Sequence, residues 1–218
     1  MPSVRVLGGN CRVPSWLLSK MDVGILLETL ALPCLLEVPS PGVTFVERLR
    51  HVEALKVELA ERGLEPVGAL GDALVLLTCG DFVVDGRLTG GRPLDLVGAV
   101  SGDRAALAVR ADDTIQISLM RDSALPGKIV DLLPTVGHLA GAGSAVARFG
   151  ITARTRADRD RRVWTWYASQ AGGVLAGPDS WDSPVWTTLV PADSARVGQY
   201  LGNELYDLRY GGVRVVRG

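Results

Sequence analysis

Two segments of the 218-residue chain share the same order of features, and this internal repeat constrains the fold more than any other pattern. Residues 114–133 read as an alternating apolar strand that turns into a short helix, and residues 185–205 repeat this order seventy-one positions later. In both copies an Asp-Ser pair is predicted to accept hydrogen bonds from the free N–H groups at the helix start. The matched order predicts a duplicated half-domain. The identical positions are Asp122, Ser123, Ala124 and Gly127 in the first copy, and Asp193, Ser194, Ala195 and Gly198 in the second.

Short turns separate the strand candidates around the first copy. Leu94–Val100, Arg104–Arg110 and Thr114–Met120 are joined only by Ser-Gly-Asp and Ala-Asp-Asp turns. This spacing predicts an antiparallel meander, because a parallel pair needs a crossover of about a dozen residues. The Asp85-Gly86 pair also predicts a hairpin turn, which would divide residues 82–89 into two short strands.

Helical spacing dominates the part of the chain before residue 80. Apolar residues recur at this spacing from Ser15 or Ser19 up to the next proline, which predicts a first helix. Thr44 and Glu47 form the sequence pattern of a capping box, which predicts the start of a second helix. A third helix is predicted over residues 67–77.

The second half repeats the strand-rich pattern of the first, with strands predicted over 148–156, 161–169, 174–176 and 185–190 and a closing helix over 192–208. Two meanders that each end in a helix, preceded by extra helices, describe an α+β protein with a pseudo-twofold relation. We expect a single domain over residues 1–218. Its repeat halves lie at about 80–134 and 148–208, and its N-terminal helical part at about 15–78.

Charge and hydropathy argue against several function classes. The formal net charge is −1 and the pI is about 6.1, so no nucleic-acid partner is expected. No apolar run reaches the ~18 residues that a membrane span needs, so we expect no membrane insertion and a cytoplasmic location. Cys11, Cys34 and Cys79 are far apart and form no Cys-x-x-Cys motif, which predicts neither a disulfide framework nor a zinc site.

Residues that could carry catalysis are few. His51 lies on the charged side of the second helix, and His138 lies in a glycine-rich loop with no carboxylate or cysteine nearby in sequence. Residues 141–145 do not match a Gly-x-Ser-x-Gly elbow, and Lys128 is not followed by the Ser or Thr of a P-loop. We therefore predict no catalytic, cofactor-binding or metal-binding residue and no enzymatic activity. A small-molecule enzyme that uses His138 is the third alternative.

Two features of the second half indicate a contact surface for another protein. Arginines concentrate on one hairpin, including Arg154, Arg159 and Arg161. They form either a solvated hairpin end or an electrostatic contact patch. Trp164 and Trp166 share one face of a strand, where they are either core residues or interface hot spots.

The order and spacing of several short patterns point to a known family. The patterns are Leu30-Ala31-Leu32-Pro33, Val38-Pro39-Ser40, Leu59–Leu64, Gly102–Ala105, Ala108–Arg110, Ala124-Leu125, Leu132–Pro134, Trp166, Gly173, Trp186 and Pro191–Asp193. Taken together, from Leu18 to Leu205, they resemble the EspG family, the chaperones of type VII (ESX) secretion in mycobacteria and other actinobacteria. The excess of arginine over lysine, twenty against three, is typical of the GC-rich genomes of such bacteria.

The resemblance implies a single α+β domain with a largely antiparallel, twisted central sheet, flanking helices and a quasi-twofold relation between two halves. It also implies a cytosolic protein that binds rather than catalyses and needs no cofactor. Family members hold the exposed apolar helical tip of the PPE protein in a PE–PPE heterodimer, and so keep this substrate soluble until secretion. The chain departs from the family between its halves, where members usually carry a longer helical segment than residues 134–147.

The family's contact residues follow no short motif, and the partner-binding side is therefore a hypothesis on the features of the second half. It comprises the second-half hairpin and the closing helix, with Arg154, Arg159, Arg161, Trp164, Trp166, Gln199 and Asn203. The alternative is an EspG-like interaction module with a different partner. That partner could be a second copy of the chain, a homodimer formed through an exposed sheet edge.

Overall fold

A single nine-stranded antiparallel sheet with flanking helices forms the framework of this α+β protein. The computed structural model describes residues 14–33, 44–63, 68–89, 93–133, 145–153, 161–169, 172–180 and 183–210. The strands are β1 (Ser15–Ser19), β2 (Phe82–Thr89), β3 (Leu94–Ser101), β4 (Arg104–Ala111), β5 (Thr114–Arg121), β6 (Ala145–Ala153), β7 (Arg161–Ser169), β8 (Gly172–Ser180) and β9 (Ser183–Pro191). The helices are α1 (Lys20–Thr29), α2 (Phe45–Glu61), α3 (Ala69–Cys79), α4 (Leu125–Val130) and α5 (Ser194–Tyr210).

The strand order in the sheet is β1-β5-β4-β3-β2-β6-β7-β8-β9. From the central β2–β6 pair, strands β2 to β5 follow one another outward on one side and β6 to β9 on the other. Two copies of a four-strand meander, joined through their first strands, would give this order, which agrees with the duplication expected from sequence. The contacts group the chain into two compact units. The first unit comprises residues 1–80 and 96–122, and the second comprises residues 81–95 and 123–218. A single domain with the predicted half boundaries stays a prediction.

The first unit is built around the apolar face of α3, as its spacing predicted. Leu70, Leu74 and Leu77 are buried in one cluster with strand residues that are themselves fully covered. These strand residues are Ala106, Ala108, Ile115 and Ile117. Complete burial of a leucine side chain stabilises a fold by about 1.5–3 kcal/mol, so α3 is a major contributor to this core.

Helix α1 starts later than its apolar spacing alone would allow. Ser15–Ser19 form strand β1, which pairs antiparallel with β5, and the helix begins at Lys20. Ser19 is the N-cap: its Oγ accepts from the N–H of Asp22 at 3.1 Å, and Asp22 Oδ2 accepts from the N–H of Ser19 at 3.0 Å. Asp22 Oδ2 also lies 3.2 Å from Arg62 Nη1 at the end of α2. The cap therefore fixes the start of α1 and also contacts the end of α2 through Arg62.

Replacing Ser19 by alanine is expected to lower the free energy of unfolding by about 1 kcal/mol. The change removes the hydroxyl that accepts from Asp22 N–H and leaves the strand pairing of β1 intact. Chemical denaturation followed by circular dichroism measures the loss. Ser19→Thr is the matched control, because threonine keeps the capping hydroxyl. Equal losses in the two variants would contradict the role of the cap.

Helix α2 begins where its capping box predicted. The N–H of Glu47 donates to Thr44 Oγ1 at 3.3 Å, and Thr44 N–H donates to Glu47 Oε2 at 3.1 Å, which confirms the capping box. Gly63 follows the helix with φ +68°, the left-handed conformation that a glycine accepts without strain. Val52 and Leu59 on its apolar stripe are buried.

Strand β2 corrects one prediction from sequence. The Asp85-Gly86 pair forms no hairpin turn, and residues 82–89 are one continuous strand paired with β6. Gly86 lies opposite Phe149, whose side chain is fully buried. The pairing of eight residues with β6 outweighs the local turn preference of the Asp-Gly sequence, because a turn would remove the ladder hydrogen bonds of this pairing.

The two helix starts of the repeat differ. Asp193 Oδ1 accepts from the N–H of Arg196 at 2.8 Å, so the predicted cap is confirmed in the second copy. In the first copy a 3₁₀ turn, Asp122–Ala124, precedes α4, whose N-cap is Ala124 with no side-chain hydrogen bond. The predicted Asp-Ser cap is therefore wrong for α4, since the extra turn moves the helix start past both residues.

Candidate binding surface

Helix α5 is the element that organises the candidate surface in the second unit. Its buried stripe consists of Val197, Leu201 and Leu208, and it contacts β2, β6 and α4. A Cβ atom at Gly198 would lie 2.7 Å from Val130 Cγ2, so this glycine allows α4 and α5 to approach closely. The opposite side of α5 is left facing solvent.

The two tryptophans of β7 lie in the core beneath α5. Trp166 is fully buried, and its Nε1 donates to the carbonyl of Ala192 at 3.0 Å. Trp164 is also buried and its ring centroid lies 5.4 Å from that of Tyr200 on α5. A Cβ atom at Gly177 would lie 1.8 Å from Trp164 Cε3, so the glycine provides the space for the ring. Both tryptophans position α5, and a contribution of either to partner binding stays a prediction.

A buried ion pair fastens α5 to the same strand. Arg162 Nη1 donates to Glu204 Oε2, and both side chains are largely covered. Burial raises the pKa of Glu204 above its ordinary value of 4.5, the Arg162 charge opposes this shift, and nearby Asp207 adds to it. Arg162 is thus the charge that opposes the effect of burial on this carboxyl group.

The solvent-facing side of α5 carries both predicted helix residues and two tyrosines. Gln199 and Asn203 are exposed and lie one turn apart. Tyr206 and Tyr210 continue the same side at 62% and 56% exposure, and their ring centroids are 4.5 Å apart. The tyrosines were not predicted as site residues, although their i, i+4 spacing off the apolar stripe is a signal in the sequence.

A second exposed apolar surface lies on the side of the sheet opposite to α5. Alternate residues of β6–β9 face this side, while Trp164, Trp166 and Leu175 face the helix. Tyr167, Val174 and Leu189 are 50%, 39% and 67% exposed. We call this surface the outer face, defined by Val146, Arg148, Tyr167, Val174, Leu189 and Pro191.

The structure describes the remaining candidate residues only in part. Arg154, Arg159 and His138 lie outside the described residues, as do Cys11 and Cys34. Arg161 and His51 lie in β7 and α2, but their side chains are outside the described part. Cys79 is an exposed free thiol at the end of α3.

In the described part of the chain, no helix is long and apolar enough to cross a membrane. No group of three or more histidine, cysteine, aspartate or glutamate residues within the described ranges could hold a metal ion.

Comparison with known proteins agrees with the fold. A model of the EspG family matches residues 24–147, more than half of the chain. The chain is also similar to a solved structure of the Mycobacterium tuberculosis type VII secretion system chaperone EspG5 in complex with PE25-PPE41 dimer. The TM-score is 0.66 at 10% sequence identity, over 91% of this chain and 98% of that one. No curated protein matches the chain. Because the family model matches more than half of the chain, the chain belongs to the EspG family.

Proposed function

We propose that the chain is a non-enzymatic cytoplasmic chaperone that binds a helical PE–PPE-type substrate and keeps it soluble for type VII secretion. The observation that carries this proposal is the similarity, over 91% of the chain, to a chaperone solved with a PE–PPE dimer. Because identity is only 10%, this similarity supports the fold directly and the partner class by inference.

The surfaces of the second unit support a binding role on physical grounds. An exposed apolar helix tip on a substrate promotes aggregation, and a complementary apolar surface that covers it removes this hazard. The chain offers two such surfaces, the tyrosine side of α5 and the outer face. Tyrosines contribute strongly at interfaces because they combine a large apolar ring with a hydroxyl.

Co-expression tests the proposal and the site residues inferred from sequence. The tagged chain is expressed with each PE–PPE pair of its own genome, and the pair that stays soluble and co-purifies is identified. Replacing Arg159, Arg161 and Gln199 together by alanine is expected to reduce the retained pair at least tenfold and to leave the melting temperature unchanged.

The matched control is Arg50→Ala/Gln116→Ala/Arg121→Ala, which removes the same number of charges and one amide at exposed positions of the first unit. Its retention is expected to equal that of the parent chain. Equal retention by both triple variants would remove Arg159, Arg161 and Gln199 from the site. Failure of the parent chain to retain any pair would contradict the chaperone function itself and favour a module with another partner.

A further inference from the structure

The outer face is continuous across four strands. The register places Val146 beside Tyr167, Tyr167 beside Val174, and Val174 beside Pro191 in one cross-strand row. The neighbouring row runs from Arg148 through Thr165 and Ala176 to Leu189. Adjacent strands are about 4.8 Å apart, so the residues of these two rows form a contiguous surface. Strands β7 to β9 therefore present an apolar strip about 10 Å wide, close to the diameter of one helix.

The first unit shows how such a strip is covered in this protein. Helix α3 packs on β4 and β5, and the strand residues beneath it are fully buried. At the margin of this contact Asp72 of α3 lies 2.9 Å from Arg104 Nη2 of β4. Where α3 covers the strands, an aspartate of the helix thus meets an arginine of the strand beside the apolar contact.

The outer face has the strand part of this arrangement, namely exposed apolar residues with an arginine beside them. Its apolar residues remain 39–67% exposed at Val174, Tyr167 and Leu189. Arg87 of β2, the register partner of Arg148, is paired with Asp95 at 3.0 Å. Exposed Arg148 forms no ion pair with a carboxylate of the described residues. A helix that brings its own carboxylate would complement both the apolar strip and this charge.

We propose that the outer face binds an amphipathic helix of the substrate, with the apolar stripe of that helix on Tyr167, Val174 and Leu189 and a carboxylate beside it on Arg148. This inference rests on the proposed chaperone function and assigns the contact to the sheet rather than to α5 alone. The mode is helix-on-sheet packing, which needs no rearrangement of the exposed strands.

The test uses the co-purifying PE–PPE pair identified with the parent chain. Leu189→Asp and Val174→Asp are each expected to reduce its retention at least tenfold, because a charge is placed in the centre of the apolar contact. Arg148→Glu is expected to reduce retention more than Arg148→Gln, since it repels the carboxylate instead of only losing it. Exchange of that carboxylate for arginine in the substrate is expected to restore binding to Arg148→Glu.

Leu17→Asp is the matched control, because Leu17 is a 54% exposed leucine on edge strand β1 of the first unit. It is expected to retain the pair fully, and all variants are compared at unchanged melting temperature. Full retention by Leu189→Asp and Arg148→Glu, with loss only in Tyr206→Asp of α5, would overturn the inference while the proposed function stands. A homodimer of the chain alone that Leu189→Asp dissociates would assign the face to a second copy, and would also overturn it. No retention by the parent chain would withdraw the proposed function and this inference together.

Discussion

Replacing Trp166 by alanine is expected to lower the free energy of unfolding by about 3–5 kcal/mol. The indole is fully buried, so its removal leaves a cavity that the surrounding strands cannot fill. The change also removes the donor to the carbonyl of Ala192, at the junction between β9 and α5. A Cβ atom at Gly173 would lie 2.7 Å from Trp166 Nε1, so the local backbone is shaped to this ring.

Guanidinium denaturation followed by circular dichroism measures this loss. Tyr167→Ala is the control, since the neighbouring aromatic side chain lies on the opposite side of the same strand and is 50% exposed. We expect it to cost no more than about 1 kcal/mol, because little apolar area is lost from the core. Similar losses for the two variants would mean that Trp166 does not form part of the core as described.

Replacing Arg162 by methionine is expected to destabilise the fold by about 3 kcal/mol at neutral pH. The variant leaves the carboxylate of Glu204 buried without its opposing charge, so the pKa of Glu204 rises further above its ordinary value. The folded state of the variant then binds a proton that the unfolded state releases near pH 4.5. The contribution of Glu204 to the stability of the variant is therefore fully present below pH 4.5 and is lost as the pH rises through the pKa of Glu204 in the folded state.

The pH profile separates this mechanism from loss of packing. In the parent chain the stability contribution of Glu204 also falls as the pH rises, over a narrower pH range, because burial raises the pKa of Glu204 there too. The difference between variant and parent should therefore grow with pH, by up to about 1.4 kcal/mol per pH unit. The double variant Arg162→Met/Glu204→Leu is expected to regain most of the stability at neutral pH and to lose this added dependence. A penalty for Arg162→Met that is constant with pH would contradict the account.

Local patterns in the sequence predicted most of the elements. Strands β3, β4 and β5 agree with the predicted spans to within one residue at each end, because their apolar alternation and short turns leave few alternatives. Strand β1 and the continuous β2 could not be predicted locally. Ser15 pairs with Ser118, and Asp85 pairs with Gly150, so both depend on partners far away in sequence.

The candidate surface was harder to predict than the fold. Whether Leu189 faces the core or solvent depends on the register of β9 with β8, and this follows from the complete sheet. Arg162 belongs to an arginine-rich stretch that reads as a solvated hairpin end, yet its side chain is buried against Glu204, 42 residues away. Trp164 and Trp166 were open to a core or an interface role; both are buried in the chain, and their contribution to partner binding stays a prediction.

The molar mass of the purified complex decides whether the chain binds a PE–PPE pair. The chain is co-expressed with each PE–PPE pair of its genome, and the soluble material is analysed by size-exclusion chromatography with multi-angle light scattering. For at least one pair we expect a single species whose mass equals one copy each of the chain, the PE protein and the PPE protein. Elution of the 23.1 kDa chain separately from every soluble pair would contradict it.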